Sequence, residues 1–248
     1  MTSKLKFLIS FVLLFVLSAC RGDQKDDVLV VGISADNPPY EFMKDGEIVG
    51  FDIDFITELA KHLDKKVELK NMEFHSLLAA LSSKHVDLVI SGLSITDERQ
   101  KQVDFSVPYT SAIVAVLYRK EDGFQQYEDM EKKKVGAQLG SIFSLIAHNL
   151  AAKCQCEVSS LASNLMLIEE LKSKRLDAII LEEAQAKKFI EMYPYLARFS
   201  LKEFSSSFAI AMPKGSLLRK NIDDSIKILK DNGTLDALEK RWGIVGAD

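Results

Sequence analysis

A fourteen-residue segment that recurs in this chain constrains its fold more than any other feature. Leu77 to Ile90 aligns without a gap with Leu167 to Ile180, and six of the fourteen pairs are identical. Each copy reads as a helix followed by an apolar strand, and the two units open on similar Val-Gly pairs, at Val31 and Val135. Two similar units of this kind predict two α/β lobes rather than one long sheet.

Strand and helix alternate around the first copy. The apolar run from Val28 to Ser34 is typical of a strand covered on both faces, and Lys66 to Met72 reads as the next strand. Apolar residues recur at helical spacing over 52–63, and 74–83 reads as a second helix. Prolines exclude a helix from the loop Asp36 to Phe42. The pattern predicts an α/β fold in which a mostly parallel sheet in each lobe is flanked by helices.

Two similar segments predict that the chain crosses between the lobes twice. Ala112-Ile-Val-Ala115 and Phe208-Ala-Ile-Ala211 both lead to a lysine and a glycine. We interpret both as parts of extended crossings, near Thr110 to Tyr118 and near Ser205 to Met212. Helices near 216–230 and 234–242 would then complete lobe one. The predicted limits are 28–114 with 207–248 for lobe one and 115–206 for lobe two.

The first nineteen residues are interpreted as an export signal. Two lysines precede the apolar run Phe7 to Leu17, which is shorter than the roughly 20 residues of a membrane-spanning helix. The ending Leu17-Ser-Ala-Cys20 matches the bacterial lipobox, in which Cys20 is lipidated; an ordinary signal peptide or a membrane anchor is the alternative. Two or more acyl chains on Cys20 would hold the protein at a membrane surface, with 20–27 as a tether.

Charge and cysteine content argue against several kinds of partner. Removal of the signal changes the formal charge from −4 to −6, because it takes away two lysines and no acid. Nucleic acid binding needs a basic footprint, so nucleic acid is not expected. Cys154 and Cys156 are expected to be two thiols or a strained local bridge, since two cysteines without histidine partners make a weak signal for a metal site. We expect no metal, no cofactor and a monomer.

The strand that ends the first copy runs directly into an anion-binding pattern. Ser91-Gly92-Leu93-Ser94 is followed by Thr96, a predicted helix N-cap, and by Arg99. Free N–H groups, hydroxyls and a guanidinium together bind a carboxylate or a phosphate. The equivalent strand of the second unit ends in Glu182-Glu183. Ligands bind at the carboxyl ends of parallel strands, so a cleft between these two strand ends would suit a zwitterion.

The motif Ser91-Gly-Leu-Ser-Ile-Thr-Asp-Glu-Arg-Gln100 is similar to that of the periplasmic binding proteins of polar amino acid ABC transporters. The lysine/arginine/ornithine-, histidine- and glutamine-binding group is the most similar, and the resemblance covers nearly all of residues 28–245. It implies the type II periplasmic binding protein fold, in which two lobes joined by two strands close over one amino acid. It also implies a periplasmic or cell-surface lipoprotein that delivers arginine, lysine or ornithine to an ABC transporter permease.

The resemblance implies roles for particular residues. Arg99 would pair with the ligand α-carboxylate, helped by the backbone of Ser94 and by the loop Gly140-Ser141-Ile142. The α-ammonium would be held by the carbonyl of Gly92, the hydroxyl of Ser94 and the carboxylate of Glu182. Most relatives have an aspartate in place of Glu182, which is one methylene longer.

The pocket for the ligand side chain departs from the pattern of the basic amino acid binders. Those proteins have an aspartate at the position of Ser34 and an aromatic at that of Asn37. Phe74 occupies the position of an aromatic that stacks on the ligand, and cation–π contact with a guanidinium contributes about 0.5–2 kcal/mol. The candidates for the polar end of the pocket are Ser34, Asn37, Glu41 and Ser91. Glu41 is the first choice as a charge partner, and arginine is the first choice of ligand.

An enzyme on the same scaffold is the alternative function. Cyclohexadienyl dehydratases resemble these binding proteins and use an acid in the cleft for elimination, a role that Glu182 or Glu41 would take. The complete amino acid clamp argues against this alternative, so no catalytic residue is predicted. A third hypothesis is an amino acid sensor or an adhesin.

Three residues outside the cleft are expected to have structural roles. Asp87 and Asp177 each precede an apolar strand and are interpreted as turn or strand-edge residues rather than ligands. Trp242 is expected to anchor the last helix to lobe one.

Overall fold

A computed structural model describes residues 27–244, so the predicted lipidation site Cys20 lies outside the described residues. The strands are β1 Val28–Ile33, β2 Asp36–Asn37, β3 Glu41–Lys44, β4 Glu47–Val49, β5 Lys66–Asn71, β6 Leu88–Val89, β7 Val103–Phe105, β8 Thr110–Arg119, β9 Lys134–Gln138, β10 Glu157–Leu161, β11 Ala178–Glu182, β12 Leu196–Phe208 and β13 Ala211–Pro213. The α-helices are α1 Phe51–His62, α2 Leu77–Ser82, α3 Asp97–Gln100, α4 Ile142–Cys154, α5 Asn164–Lys172, α6 Glu183–Met192, α7 Arg219–Asp231 and α8 Thr234–Trp242. Between residues 27 and 244, none of the helices has both the length and the apolar character needed to cross a membrane.

Two five-stranded sheets form the two lobes. The strand order is β5-β1-β6-β13-β7 in lobe one and β10-β9-β11-β8-β12 in lobe two. In each sheet one strand, β13 or β8, runs against the other four. That strand carries the chain in from the other lobe, so it enters its sheet from the opposite end. The predicted α/β class with mostly parallel strands is therefore confirmed, and each sheet is mixed.

The strands β8 and β12 connect the two lobes. They pair antiparallel from Thr110 with Phe208 to Arg119 with Leu196, and the register shifts between Leu201 and Ser205. The first predicted crossing coincides with the greater part of β8. The second is divided between the end of β12 and β13, which are separated by two residues.

The two copies of the internal repeat form equivalent hydrogen bonds in their lobes. The carboxylate of Asp87 accepts from the backbone N–H of Val30 at 2.9 Å, and that of Asp177 accepts from the backbone N–H of Lys134 at 2.9 Å. Each aspartate therefore ties the start of the last strand of its repeat to the strand that opens its unit, β1 or β9. These structural roles agree with the interpretation from the sequence.

A glycine in the strand that opens each repeat unit, β1 or β9, lets the repeated helix pack closely. A Cβ atom at Gly136 would lie 2.7 Å from the side chain of Leu167, and one at Gly32 would lie 3.3 Å from that of Leu77. Leu77 and Leu167 are equivalent in the repeat. The Val-Gly pair that opens each unit is thus explained by contact between helix and strand.

The proline-containing loop includes a small sheet that the sequence did not predict. Strands β2, β3 and β4 form it, and the β3–β4 turn at Asp45-Gly46 has φ values of 52° and 86°. Strands of two to four residues are too short to show a clear alternation of apolar and polar side chains. The register of β2 and β3 places Asn37 opposite Glu41, close to the interlobe cleft.

The C-terminal helices complete lobe one. Helix α8 has the predicted bounds, whereas α7 begins about one turn later than predicted. The indole Nε1 of Trp242 donates to Asp54 on α1 at 2.8 Å, and its ring packs edge-on against Phe42. Trp242 therefore anchors α8 to lobe one.

The two cysteines lie at the end of α4 in lobe two. Cys154 and Cys156 are free thiols with their sulfur atoms 2.9 Å apart. Burial raises the pKa of Cys156 to about 12. In the described part of the chain, no three His, Cys, Asp or Glu side chains are arranged to hold a metal ion.

Candidate functional site: the interlobe cleft

The cleft between the lobes is lined from both sides. Its lining residues in lobe one and at the end of β12 are Asn37, Phe74, Ser91, Gly92, Ser94, Arg99 and Phe208. Its lining residues in lobe two are Gln138, Ser141, Ile142, Phe143, Asn164, Glu182 and Gln185. The space between them holds little more than a water molecule, so an amino acid can enter only if the lobes separate or side chains move.

Arg99 is positioned by a single turn of helix. Thr96 is the N-cap of α3, as predicted, and its Oγ1 accepts from the backbone N–H of Arg99 at 3.2 Å. Helix α3 has only four residues, so its dipole is small and the guanidinium is the principal positive group at this wall.

The guanidinium of Arg99 bridges the two lobes. Its Nη1 donates to the carbonyl of Ser94 at 2.6 Å, and its Nη2 donates to the carbonyl of Gly140 in lobe two at 2.9 Å. It lies 5.7 Å from the ring centre of Phe74. Burial lowers the pKa of Arg99 to about 10, so the group stays charged at neutral pH. A half-buried cation whose partners are neutral carbonyls is a strong site for a carboxylate.

Glu182 faces the same cleft from lobe two. It caps α6, because its Oε2 accepts from the backbone N–H of Gln185 at 2.9 Å. Burial raises the pKa of Glu182 to about 7, and the hydroxyl of Tyr40 approaches it without closing a well-formed hydrogen bond. An incoming ammonium would stabilise the carboxylate form of Glu182.

Gly92 ends the first repeat in a conformation that favours glycine. Its φ is 52°, and a Cβ atom there would lie 3.0 Å from Nδ2 of Asn37 and 3.3 Å from the ring of Phe208. Its N–H donates to Asp52 at 2.9 Å. The tight turn brings the backbone of this strand end to the cleft wall.

Glu41 lies behind the cleft wall and does not line the cavity. Its Oε1 accepts from Oγ of Ser91 at 2.7 Å and from Nδ2 of Asn37 at 3.2 Å. Burial and the nearby Asp52 raise the pKa of Glu41 well above its usual range, and burial raises that of Asp52 to about 6. Two adjacent buried carboxyls cannot both be charged at low cost, so the charge on one raises the pKa of the other.

Nine of the twelve residues predicted for the site line the cavity, and Ser34, Glu41 and Gly140 do not. Ser34 donates its backbone N–H to Ser91, and Gly140 reaches the cleft through its carbonyl bond with Arg99. In this conformation Ser91 and Asn37 separate Glu41 from the cavity, so a direct contact of Glu41 with a ligand requires them to move.

The structure adds cavity residues that the sequence analysis missed; these are Gln138, Phe143, Asn164, Gln185 and Phe208. Gln138 ends β9, so the rule that ligands bind at strand ends could have found it. Gln185 is 2 % exposed, and its Nε2 has no hydrogen-bond partner in the described part of the chain. This amide is an available donor at the cavity wall.

The fold and the two-sided cleft define a solute-binding protein. Residues 29–245 match the bacterial extracellular solute-binding proteins, family 3, and the chain belongs to this family. The resemblance found in the sequence is thereby confirmed, as is the type II periplasmic binding protein fold.

Similar proteins bind amino acids according to their names. The chain is 35% identical over 246 residues to the arginine-binding extracellular protein ArtP of Bacillus subtilis, covering 96% of each chain. It is 32% identical to the L-cystine-binding protein TcyJ of Escherichia coli, covering 89% of this chain and 83% of TcyJ. It superposes on AbpA of Streptococcus pneumoniae, an amino acid ABC transporter substrate-binding protein bound to L-arginine, with a TM-score of 0.82 and 39% identity, covering 88% of this chain and 95% of AbpA.

Proposed function

We propose that this protein captures a free basic amino acid, with arginine preferred over lysine and ornithine, and delivers it to the permease of an ABC transporter. The observation that carries the proposal is the placement of Arg99 and Glu182 on opposite walls of one cavity. A cation on one lobe and an acid on the other match the carboxylate and the ammonium of one zwitterion. The arginine-binding relatives support the choice of ligand.

Binding is coupled to closure in this proposal. Lobe one, proposed as 28–114 with 207–248, would hold the carboxylate through Arg99, and lobe two, proposed as 115–206, would hold the ammonium through Glu182. Since both halves act on one ligand only when the lobes meet, the ligand binds the closed form better and shifts the population toward it.

The acidic groups behind the cleft favour a ligand with a cationic side chain. Glu41 and Asp52 lie behind Ser91 and Gly92, and neither forms an ion pair with a lysine or arginine among residues 27–244. A guanidinium near Ser91 and Asn37 would gain from their negative potential and lower the pKa of the pair.

The proposed location is outside the cytoplasm at a membrane surface. The family is extracellular, and the sequence pattern ending in Cys20 provides the proposed lipid anchor. The tether 20–27 would leave a monomeric binding domain free to meet the permease.

Calorimetric titration with arginine, lysine, ornithine, histidine, glutamine and cystine tests the ligand class. Arginine is expected to bind most tightly. If glutamine or cystine bound most tightly, the assignment of a basic ligand would be wrong.

A buried acid favours an enzyme as the second candidate. Glu182 has a pKa of about 7, which suits a general acid at neutral pH. Incubation with prephenate or arogenate tests this alternative by product formation. The transport role predicts saturable binding of an amino acid and no product from either compound.

A further inference from the structure

Asp36 belongs to lobe one, but most of the hydrogen bonds that its carboxylate accepts come from lobe two. Its Oδ2 accepts from the backbone N–H of Asn164 at 2.7 Å. Its Oδ1 accepts from the side-chain amides of Asn164 and Gln138, both at 3.3 Å. The hydroxyl of Ser34, at 3.4 Å, is the partner within its own lobe. One carboxylate thus joins β2 to two elements across the cleft.

The two partners are suited to a carboxylate. Asn164 is the first residue of α5, where the backbone N–H groups have no partner within the helix. Gln138 is the last residue of β9. Hydrogen bonds to a charged acceptor are stronger than those between neutral groups. These few bonds therefore stabilise the contact between the lobes more than the same number of neutral hydrogen bonds would.

A ligand in the cavity would not compete for the hydrogen bonds of Asp36. Gln138 and Asn164 line the cavity, whereas Asp36 lies behind them and does not. Arg99 differs, because a ligand carboxylate would compete for its guanidinium. The bonds of Asp36 join protein to protein, and they are broken whenever the lobes separate.

We propose that Asp36, with Gln138 and Asn164, forms a closure latch that sets how long the closed form lasts and therefore how slowly a bound amino acid leaves. Asp36 is a positioning residue in this role. The inference rests on the proposed function, since it concerns release of the ligand from the same cleft. A latch that forms after the ligand has entered slows dissociation and leaves association largely unchanged.

Replacement of Asp36 by asparagine removes the charge and keeps the size. Calorimetry would give the dissociation constant for arginine, and a chase of radiolabelled arginine with excess unlabelled arginine would give the dissociation rate. We expect the dissociation rate of Asp36→Asn to rise roughly tenfold and the association rate to change less than about twofold. A dissociation rate equal to that of the wild type would overturn the latch, as would a loss of affinity that lies entirely in the association rate.

The matched control is Asp45→Asn, the same substitution at an exposed turn of lobe one where asparagine tolerates the positive φ. It is expected to leave both rates unchanged. Asn164→Ala, made from the other lobe, should raise the dissociation rate by a smaller factor, because the backbone N–H bond to Asp36 remains. Equal melting temperatures of the ligand-free variants separate the latch from a general loss of stability.

The result also separates this inference from the proposed function. If the wild-type protein did not bind arginine, the proposed ligand would be wrong, and the same rates would be measured with the amino acid that does bind. If it bound arginine and Asp36→Asn released it at the wild-type rate, the latch alone would fail.

Discussion

The two repeats share the same packing and hydrogen bonds within their lobes, but their strand ends carry different chemical groups. Each copy ties its last strand to the first through an aspartate, Asp87 or Asp177, and packs its helix on a glycine. Two residues beyond the aligned segments, the equivalent positions are Gly92 and Glu182. Sequence is therefore retained where the two lobes must pack alike, and it diverges where they meet different parts of a ligand.

The difference assigns complementary charges to the two walls. At Gly92 the chain turns and leads to Arg99, and the acids of lobe one lie behind that wall. At Glu182 the acid itself reaches the cavity and caps a helix. A cleft made from two identical strand ends would present like charges to a zwitterion, so the divergence is what the proposed function needs.

Of the two strand ends, the one in lobe two is expected to have the larger effect on ligand affinity. Glu182→Gln keeps the length of the side chain and removes its charge, and arginine affinity should fall about 100-fold because the ammonium loses its ionic partner. Glu183→Gln is the matched control, since Glu183 is bonded to Arg198 and Ser200 instead of lining the cavity. If calorimetry showed the same loss of arginine affinity in both variants, Glu182 would have no role in the cleft beyond that of its neighbour Glu183.

Glu182 should also make binding depend on pH. The pKa of Glu182 is about 7 in the cleft, and an adjacent ammonium lowers it, so binding releases a proton below that pH. Arginine affinity should therefore fall about tenfold between pH 8 and pH 6. In Glu182→Gln the part of the pH dependence that comes from Glu182 should be lost, and only the part from the Glu41–Asp52 pair should remain. An affinity that rose on acidification would contradict the sign of this linkage.

At the lobe-one strand end, a substitution should mainly lower the free energy of unfolding, because Gly92 carries no charge. Gly92→Ala combines a positive φ with contacts at 3.0 Å and 3.3 Å, and the free energy of unfolding should fall by about 2–3 kcal/mol. Gly123→Ala has a similar φ of 68° and nothing within 4 Å, so it should cost only about 1 kcal/mol. Urea unfolding gives the loss of unfolding free energy for each variant, and the difference between the two losses is due to the close contacts at Gly92. Equal losses would show that these contacts contribute nothing.

The smallest effect is expected at the two aspartates that hold the repeats together, Asp87 and Asp177. Asp87→Asn should lower the free energy of unfolding by about 1 kcal/mol through the weakened bond to Val30. Asp177→Asn should cost about 1 kcal/mol more, because Asp177 also pairs with the buried Arg119 at 3.3 Å. Urea unfolding compares the two, and a greater loss at Asp87 would contradict the assignment.

Local features of the site could be predicted from the sequence. The N-cap at Thr96, the strand end at Ser91-Gly92 and the acid at Glu182 depend on residues that are near one another in the chain. The repeat then related Gly92 to Glu182 across 90 residues without any structure. These features follow from turn chemistry and from the rule for strand ends.

Contacts between distant parts of the chain could not be predicted. Asp36 meets Asn164 across 128 residues, and only the relative placement of the lobes brings them together. Glu41 was expected in the pocket, but the β2–β3 pairing directs it toward Asp52 behind Ser91. Whether such a residue is buried depends on how several strands and helices pack together. The periodicity of a single segment does not contain this information.

The role of Arg99 can be measured by removing its proposed partner from the ligand. Agmatine is arginine without the α-carboxylate, so wild-type protein should bind it about 1,000-fold more weakly than arginine. In Arg99→Ala, arginine should bind as weakly as agmatine does, whereas the surface variant Arg219→Ala should behave as the wild type. If Arg99→Ala still preferred arginine over agmatine by the wild-type factor, Arg99 would not be the carboxylate partner and the account of the cleft would be wrong.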